Sequence, residues 1–113
     1  MLKYVKLTEE ALFKKSHSTD GGYDMVSTVN ARLVPSESKL IPTGIKVAIP
    51  VGYVGILTHR SSMPAKSPGE TILGIIDSSY RGEVYANVKN YDNWEQLEIK
   101  KGVRYFQMVV TSI

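Results

Sequence analysis

Four short segments of this 113-residue chain carry side chains suited to chemistry. In Gly21-Gly22-Tyr23-Asp24-Met25, paired glycines free the backbone beside a carboxylate that enters a strand. The same residues also read as a turn whose Asp bonds its own backbone. His59-Arg60-Ser61-Ser62-Met63-Pro64 leaves a strand with a guanidinium, two hydroxyls and free N–H groups. That set suits phosphate oxygens, because Arg donates in a planar fork and a strand end leaves N–H groups unpaired. A polar surface turn is the plain alternative, and His59 reads as strand-end packing before it reads as a base. The segment is neither a P-loop nor a nucleophile elbow, since no G-x-x-x-x-G-K-[ST] or G-x-S-x-G occurs.

The third segment, Gly74-Ile75-Ile76-Asp77-Ser78-Ser79-Tyr80-Arg81-Gly82-Glu83, brings a carboxylate to the end of a buried-type run. Asp77 there is either a general base with access to water or the first residue of a turn. In the fourth, Lys101-Gly102-Val103-Arg104-Tyr105-Phe106-Gln107-Met108-Val109-Val110, Gln107 is a polar residue in an apolar strand. A buried amide must be satisfied, by backbone or by a ligand.

The elements that position these groups read as strands. Gly and Pro punctuate the chain, with Val-, Ile-, Tyr- and Thr-rich runs between them. Strands are expected over 3–7, 23–27, 31–33, 40–49, 53–59, 70–77, 83–88, 94–99 and 105–111. Period two places Ile45, Val47 and Ile49 on one face. The fold class is all-β, an antiparallel sandwich, jelly roll or barrel. One segment, Thr8 to Lys15, has a helix cap and dipole-matched charges but room for one or two turns at most. Trp94, in a polar loop, is expected to be partly packed.

Composition bounds the function. Length and 42% hydrophobic residues fit a single domain over residues 1–113. The absence of Cys excludes disulfides, thiolate metal sites and a Cys nucleophile, and leans cytoplasmic. No apolar run approaches the ~20 residues of a membrane helix, and the first residues are no signal peptide. A net charge of +3 suits an anionic partner, nucleic acid or polyphosphate. The seven Tyr are scattered, so no stacking platform for nucleic acid emerges.

The order and spacing of the segments are more specific than any one of them. Gly22-Tyr23-Asp24, Leu40-Ile41-Pro42-Thr43-Gly44-Ile45, Arg60-Ser61-Ser62, Gly74-Ile75-Ile76-Asp77 with Tyr80-Arg81-Gly82, and Gly102-Val103-Arg104 with Gln107 together resemble the homotrimeric dUTPase family. The resemblance runs from about Tyr4 to Val110 and covers four of the family's five motifs. It implies a jelly-roll-like β-barrel, shared with the dCTP deaminases, and a homotrimer with active sites at subunit interfaces. The implied reaction is Mg²⁺-dependent hydrolysis of dUTP to dUMP and pyrophosphate, which keeps uracil out of DNA and supplies dUMP. A cytoplasmic location follows, that of the host if the chain is virus- or phage-encoded, with no membrane and no direct nucleic-acid binding.

Carried over residue by residue, the resemblance makes Asp77 the group that activates the attacking water. Arg60, Ser61 and Ser62 become the phosphate grip, although many relatives have Gly where Ser62 stands. Gln107 reaches the phosphates, and Tyr80 packs on the deoxyribose and rejects a ribose 2′-hydroxyl. Thr71 to Ile76, with Ile75 and Ile76 among them, and Tyr85 fall in a hairpin that reads uracil. Asp24 supports Mg²⁺ through water, the ion being held by the triphosphate. His59 stands where Pro is frequent. Family members end in a glycine-rich arm, the fifth motif, which closes over a neighbouring site; residues 111–113 directly follow the fourth motif here, and without the arm turnover is expected to be poor.

Three rivals stand beside this reading, the first in the same superfamily. A dCTP deaminase needs a Glu where Asn87 stands, and tends to carry Arg where Ala65 stands. A non-catalytic nucleotide- or protein-binding member of the fold is the second, from another class. A nucleic-acid-binding barrel rests on charge alone.

Overall fold

The computed structural model describes residues 2–60 and 69–113. Ser61, Ser62 and Ala65 therefore lie outside the described residues. Among the described residues there are eleven strands and no helix: β1 Lys3–Lys6, β2 Gly22–Met25, β3 Ala31–Leu33, β4 Ser38–Pro42, β5 Ile45–Ala48, β6 Tyr53–His59, β7 Gly69–Ile72, β8 Gly74–Ile76, β9 Tyr85–Asn90, β10 Leu97–Ile99 and β11 Phe106–Ser112. They build a jelly-roll-like barrel from antiparallel sheets. One runs β2-β11-β6-β8 and another β4-β9-β7, with the pairs β1-β5 and β10-β3 beside them. The longest ladder joins β6 to β11, from His59↔Phe106 to Tyr53↔Ser112.

Strand alternation explains the core. Ile45, Val47 and Ile49 are all buried while Lys46 is exposed, as period two requires. Met25, Phe106, Met108 and Leu57 come from neighbouring strands of the β2-β11-β6-β8 sheet and meet in the same interior.

Several elements differ from expectation. The run 40–49 is two strands, because Gly44 takes φ +71° and turns the chain from β4 into β5. Thr43 Oγ1 donates to the Val84 carbonyl at 2.6 Å and Gly44 N–H to Glu83 Oε2 at 3.1 Å, pinning the bend. The run 70–77 is also two strands: β7 pairs with β9, whereas β8 pairs with β6. The expected uracil-reading hairpin over 71–76 is thus a crossing between sheets. The crossing turns apolar side chains outward, so Leu73 is 60% and Ile75 57% exposed where a buried run was expected.

Thr8 to Lys15 is no helix. Ala11 and Phe13 are buried in alternation, Phe13 stacks on Tyr23 at 4.4 Å, and Lys14 forms a β-bridge with Asp24. So short a segment gains more from this packing than from one helical turn. Trp94 is 86% exposed instead of partly packed. Its loop closes without the indole: Asp92 Oδ1 accepts from the N–H groups of Trp94 and Glu95 at 2.7 and 3.0 Å.

Candidate active site

Register brings three separated segments to one place. Asp24 of β2 lies opposite Gln107 of β11, which lies opposite Thr58 of β6. Arg60 follows the end of β6, its N–H donating to the Tyr105 carbonyl at 2.8 Å. The expected phosphate-side residues Asp24, Arg60 and Gln107 therefore share one end of this sheet.

Asp24 is the centre of the group and is 6% exposed. Its Oδ1 meets Arg60 Nε at 3.2 Å; its Oδ2 meets Arg104 Nη1 at 3.4 Å and accepts from Ser16 Oγ at 2.7 Å. A buried carboxylate needs this much compensation. A carboxylate offers about four acceptor directions, so three partners leave room for about one water. The Gln107 amide Nε2 donates to the His59 carbonyl at 3.2 Å. Its other atom, Oε1, lies well inside van der Waals contact of where a Cβ on residue 22 would stand, so a side chain there would displace the Gln107 amide from its present position. The His59 ring carries a buried Nδ1 without a hydrogen-bond partner among the described residues.

The second half lies after β8. Asp77 is exposed, and its carbonyl accepts from Tyr80 N–H at 3.0 Å. Tyr80 folds back so that its hydroxyl donates to the Glu83 carbonyl at 2.6 Å. A Cβ at Gly82 would stand 2.6 Å from that hydroxyl, so Gly82 is what lets the ring lie across the turn. Arg81 Nη1 donates to the Ser78 and Tyr80 carbonyls and stiffens the same turn. The Tyr85 hydroxyl sits 3.4 Å from Glu83 Oε1, and the negative charge of Glu83 pushes its pKa up. Of the other expected uracil contacts, Thr71 is buried, Ile76 packs against the core, and Ile75 faces outward.

The two halves do not meet within one chain. Asp77 follows Ile76, whose partner is Gly55, whereas Gln107 lies opposite Thr58 at the other end of β6. With strands about 4.8 Å apart and a rise of about 3.3 Å per residue, the backbone positions of Asp24 and Asp77 are roughly 20 Å apart measured along the sheet.

Ser16, Arg104, Glu83 and Gly82 were not singled out as site residues from sequence. Arg104 had a usable signal, since a buried Asp beside one Arg leaves lone pairs for a second cation. Ser16 had none, because nothing local marks which of Ser16, Ser18 and Thr19 turns inward.

The dUTPase family model matches residues 8–113. The chain belongs to the dUTPase family. The deoxyuridine 5′-triphosphate nucleotidohydrolase of Bifidobacterium longum subsp. infantis is 35% identical over 113 residues, covering 97% of this chain and 71% of that protein. The enzyme of the same name from Corynebacterium glutamicum is 34% identical, covering 99% and 77%. The chain spans only 61% of a further relative from Bifidobacterium longum, at 38% identity over 84% of its own length. Among solved structures, the dUTPase from phage phi11 of S. aureus superposes with a TM-score of 0.92 at 29% identity, over 100% of this chain and 90% of that one. A mutant dUTPase of Staphylococcus bacteriophage 80alpha with dUpNHpp gives 0.91 at 31%, with the same coverage. A mutant of the phi11 enzyme has a structural Mg(II) ion. The match to dUTPases leaves the dCTP deaminase alternative unfavoured.

Among the described residues no group of three or more His, Cys, Asp or Glu side chains could hold a metal ion. No helix among them is long and apolar enough to cross a membrane.

Proposed function

We propose that this chain hydrolyses dUTP to dUMP and pyrophosphate as a homotrimer, each site combining the Asp24–Arg60–Gln107 end of one subunit with the Asp77–Tyr80 turn of another. The separation of roughly 20 Å between Asp24 and Asp77 in one chain carries the shared site. A phosphate grip and a catalytic carboxylate so far apart cannot serve one α-phosphate unless the second half comes from a neighbour. Exposed Leu73, Ile75 and Leu40 supply apolar surface for that neighbour to cover. Residues 1–113 are taken as one domain of each subunit.

In this reading the Asp77 carboxylate accepts a proton from water as the oxygen attacks the α-phosphorus in line. The bond to the bridging oxygen breaks and pyrophosphate leaves. Arg60, with the hydroxyls of Ser61 and Ser62 and the amide of Gln107, holds the phosphates and balances the charge that develops on them. The Asp24 contact uses Arg60 Nε, which leaves terminal guanidinium nitrogens as donors for the phosphates. The Tyr80 ring, fixed by Glu83 and Gly82, closes the sugar subsite against a 2′-hydroxyl. Ile75 and Tyr85 stand exposed beside it for the base, with Thr71 and Ile76 supporting from the interior.

Mg²⁺ fits this donor set only through water and triphosphate. The free acceptor direction on Asp24 suits one hydrating water of a hard cation. Bound there, the ion would supply charge neutralisation of the phosphates. A free nucleotide as substrate puts the enzyme in the cytoplasm, or in a host's cytoplasm if a virus encodes it, without binding to nucleic acid.

The test is incubation with Mg²⁺ and each of dUTP, dCTP, dTTP and UTP, with product identification. Pyrophosphate from dUTP alone is the expected result; ammonia from dCTP would overturn it. Sedimentation is expected to give a trimer.

A further inference from the structure

We propose that Ser16, outside every recognised motif segment, is a positioning residue for the triphosphate, acting through Asp24 on Arg60; this rests on the nucleotide reading above. The carboxylate of an Asp turns easily about χ2, a broad torsion without sharp wells. Arg60 and Arg104, on long flexible stems, would follow such a turn and not prevent it. Ser16 can prevent it. Its hydroxyl makes the shortest of the three contacts to Asp24, 2.7 Å against 3.2 and 3.4 Å.

The hydroxyl is delivered by a braced loop. Asp24 N–H donates to the Lys14 carbonyl at 2.7 Å and Lys14 N–H to the Asp24 carbonyl at 3.2 Å, so residues 14 and 24 are clamped together. Between them Asp20 closes the turn: its Oδ2 accepts from His17 N–H at 2.8 Å, and its own N–H donates to the His17 carbonyl at 3.0 Å. Phe13 stacks on Tyr23 with ring planes 2° apart and holds the base of the loop. Ser16 itself is exposed, although its bond reaches a buried carboxylate. A stable core gains little from such a bond; a site that must keep one guanidinium aimed gains direction.

The chain is assayed with Mg²⁺ for turnover of dUTP and, by calorimetry, for binding of the non-hydrolysable analogue dUpNHpp and of dUMP. Ser16→Ala is expected to weaken dUpNHpp about three- to tenfold and raise KM for dUTP similarly. The affinity for dUMP, which lacks the β- and γ-phosphates, stays within twofold, and kcat falls by no more than the dUpNHpp affinity does. Ser16→Thr, which keeps the hydroxyl, restores the dUpNHpp affinity. Unchanged dUpNHpp affinity in Ser16→Ala overturns the inference and leaves the dUTPase reading standing. Equal weakening of dUpNHpp and dUMP also overturns it, marking a general structural effect. Ser16-dependent dUpNHpp binding without any dUTP turnover supports the inference and sinks the hydrolytic reading. Failure of the parent chain to bind dUpNHpp sinks both.

Discussion

Gln107 lies opposite Asp24 in the β2–β11 ladder, and its side chain reaches along the ladder to Gly22, where an added Cβ would stand well inside van der Waals contact of Gln107 Oε1. The glycine in the first motif thus makes room for the amide in the fourth, two segments separated by most of the chain. Gly22→Ala is expected to push Gln107 off the His59 carbonyl and weaken dUTP-analogue binding by about tenfold, an overpacking cost of about 1–3 kcal/mol. Calorimetry of the variant checks this; full affinity would separate Gln107 from the phosphates.

Asp77→Asn removes the base and leaves the phosphate grip whole. Hydrolysis of dUTP is expected to fall by about 10²–10⁴-fold with binding of dUpNHpp nearly unchanged. Single-turnover kinetics beside calorimetry separates the two effects. Near-normal turnover would take the base role from Asp77.

Arg60→Ala should act in the opposite sense, on binding before chemistry. Triphosphate affinity is expected to drop by about 10²-fold, since a charge-assisted fork is lost. Folding stability is expected to fall too, but by less than the binding, because Arg104 and Ser16 remain on the buried Asp24 carboxylate. Comparing calorimetric Kd with a urea melt tests that ordering.

Gly44→Ala tests the bend that divides β4 from β5. At φ +71° an added Cβ would stand 2.8 Å from Thr28 Cγ2 and 2.9 Å from the Ala11 Cβ. A left-handed Ala costs about 1–2 kcal/mol before any clash, and the two contacts add to it. A denaturant midpoint equal to that of the parent would show that the bend tolerates a side chain.

Glu10 sets a pH dependence. Its hydrogen bond from Lys101, at 2.7 Å, is the main reason its carboxyl is lowered from 4.5 to about 2. A depressed carboxylate pKa stabilises the fold above the unfolded value, and that contribution is lost as pH falls from about 4.5 through about 2. Glu10→Gln is expected to flatten this part of the Tm–pH curve. The effect is modest because the pair is solvent-exposed and screened by salt. A curve of unchanged slope would remove the Lys101 pairing as its cause.

Local patterning carried much of this molecule. Alternation in Ile45, Val47 and Ile49, glycine spacing and strand-forming composition determined an all-β antiparallel fold, with sandwich, jelly roll and barrel still open, because burial on one face of a strand is written in residues two apart. Motif order and spacing likewise marked Asp24, Arg60 and Gln107 as candidates. Their assembly round one buried carboxylate was decided by strand register, a long-range property that nearest neighbours do not encode. Strand pairing also split the run 70–77 and placed Leu73 and Ile75 outside, while the chain path beside β2 and β11 brought Ser16 and Arg104 to Asp24. The roughly 20 Å between Asp24 and Asp77 is of the same kind, arising from the strand order β2-β11-β6-β8. Residue types determined what chemistry was available; only the three-dimensional pairing of distant strands decided which groups stand within reach of one another.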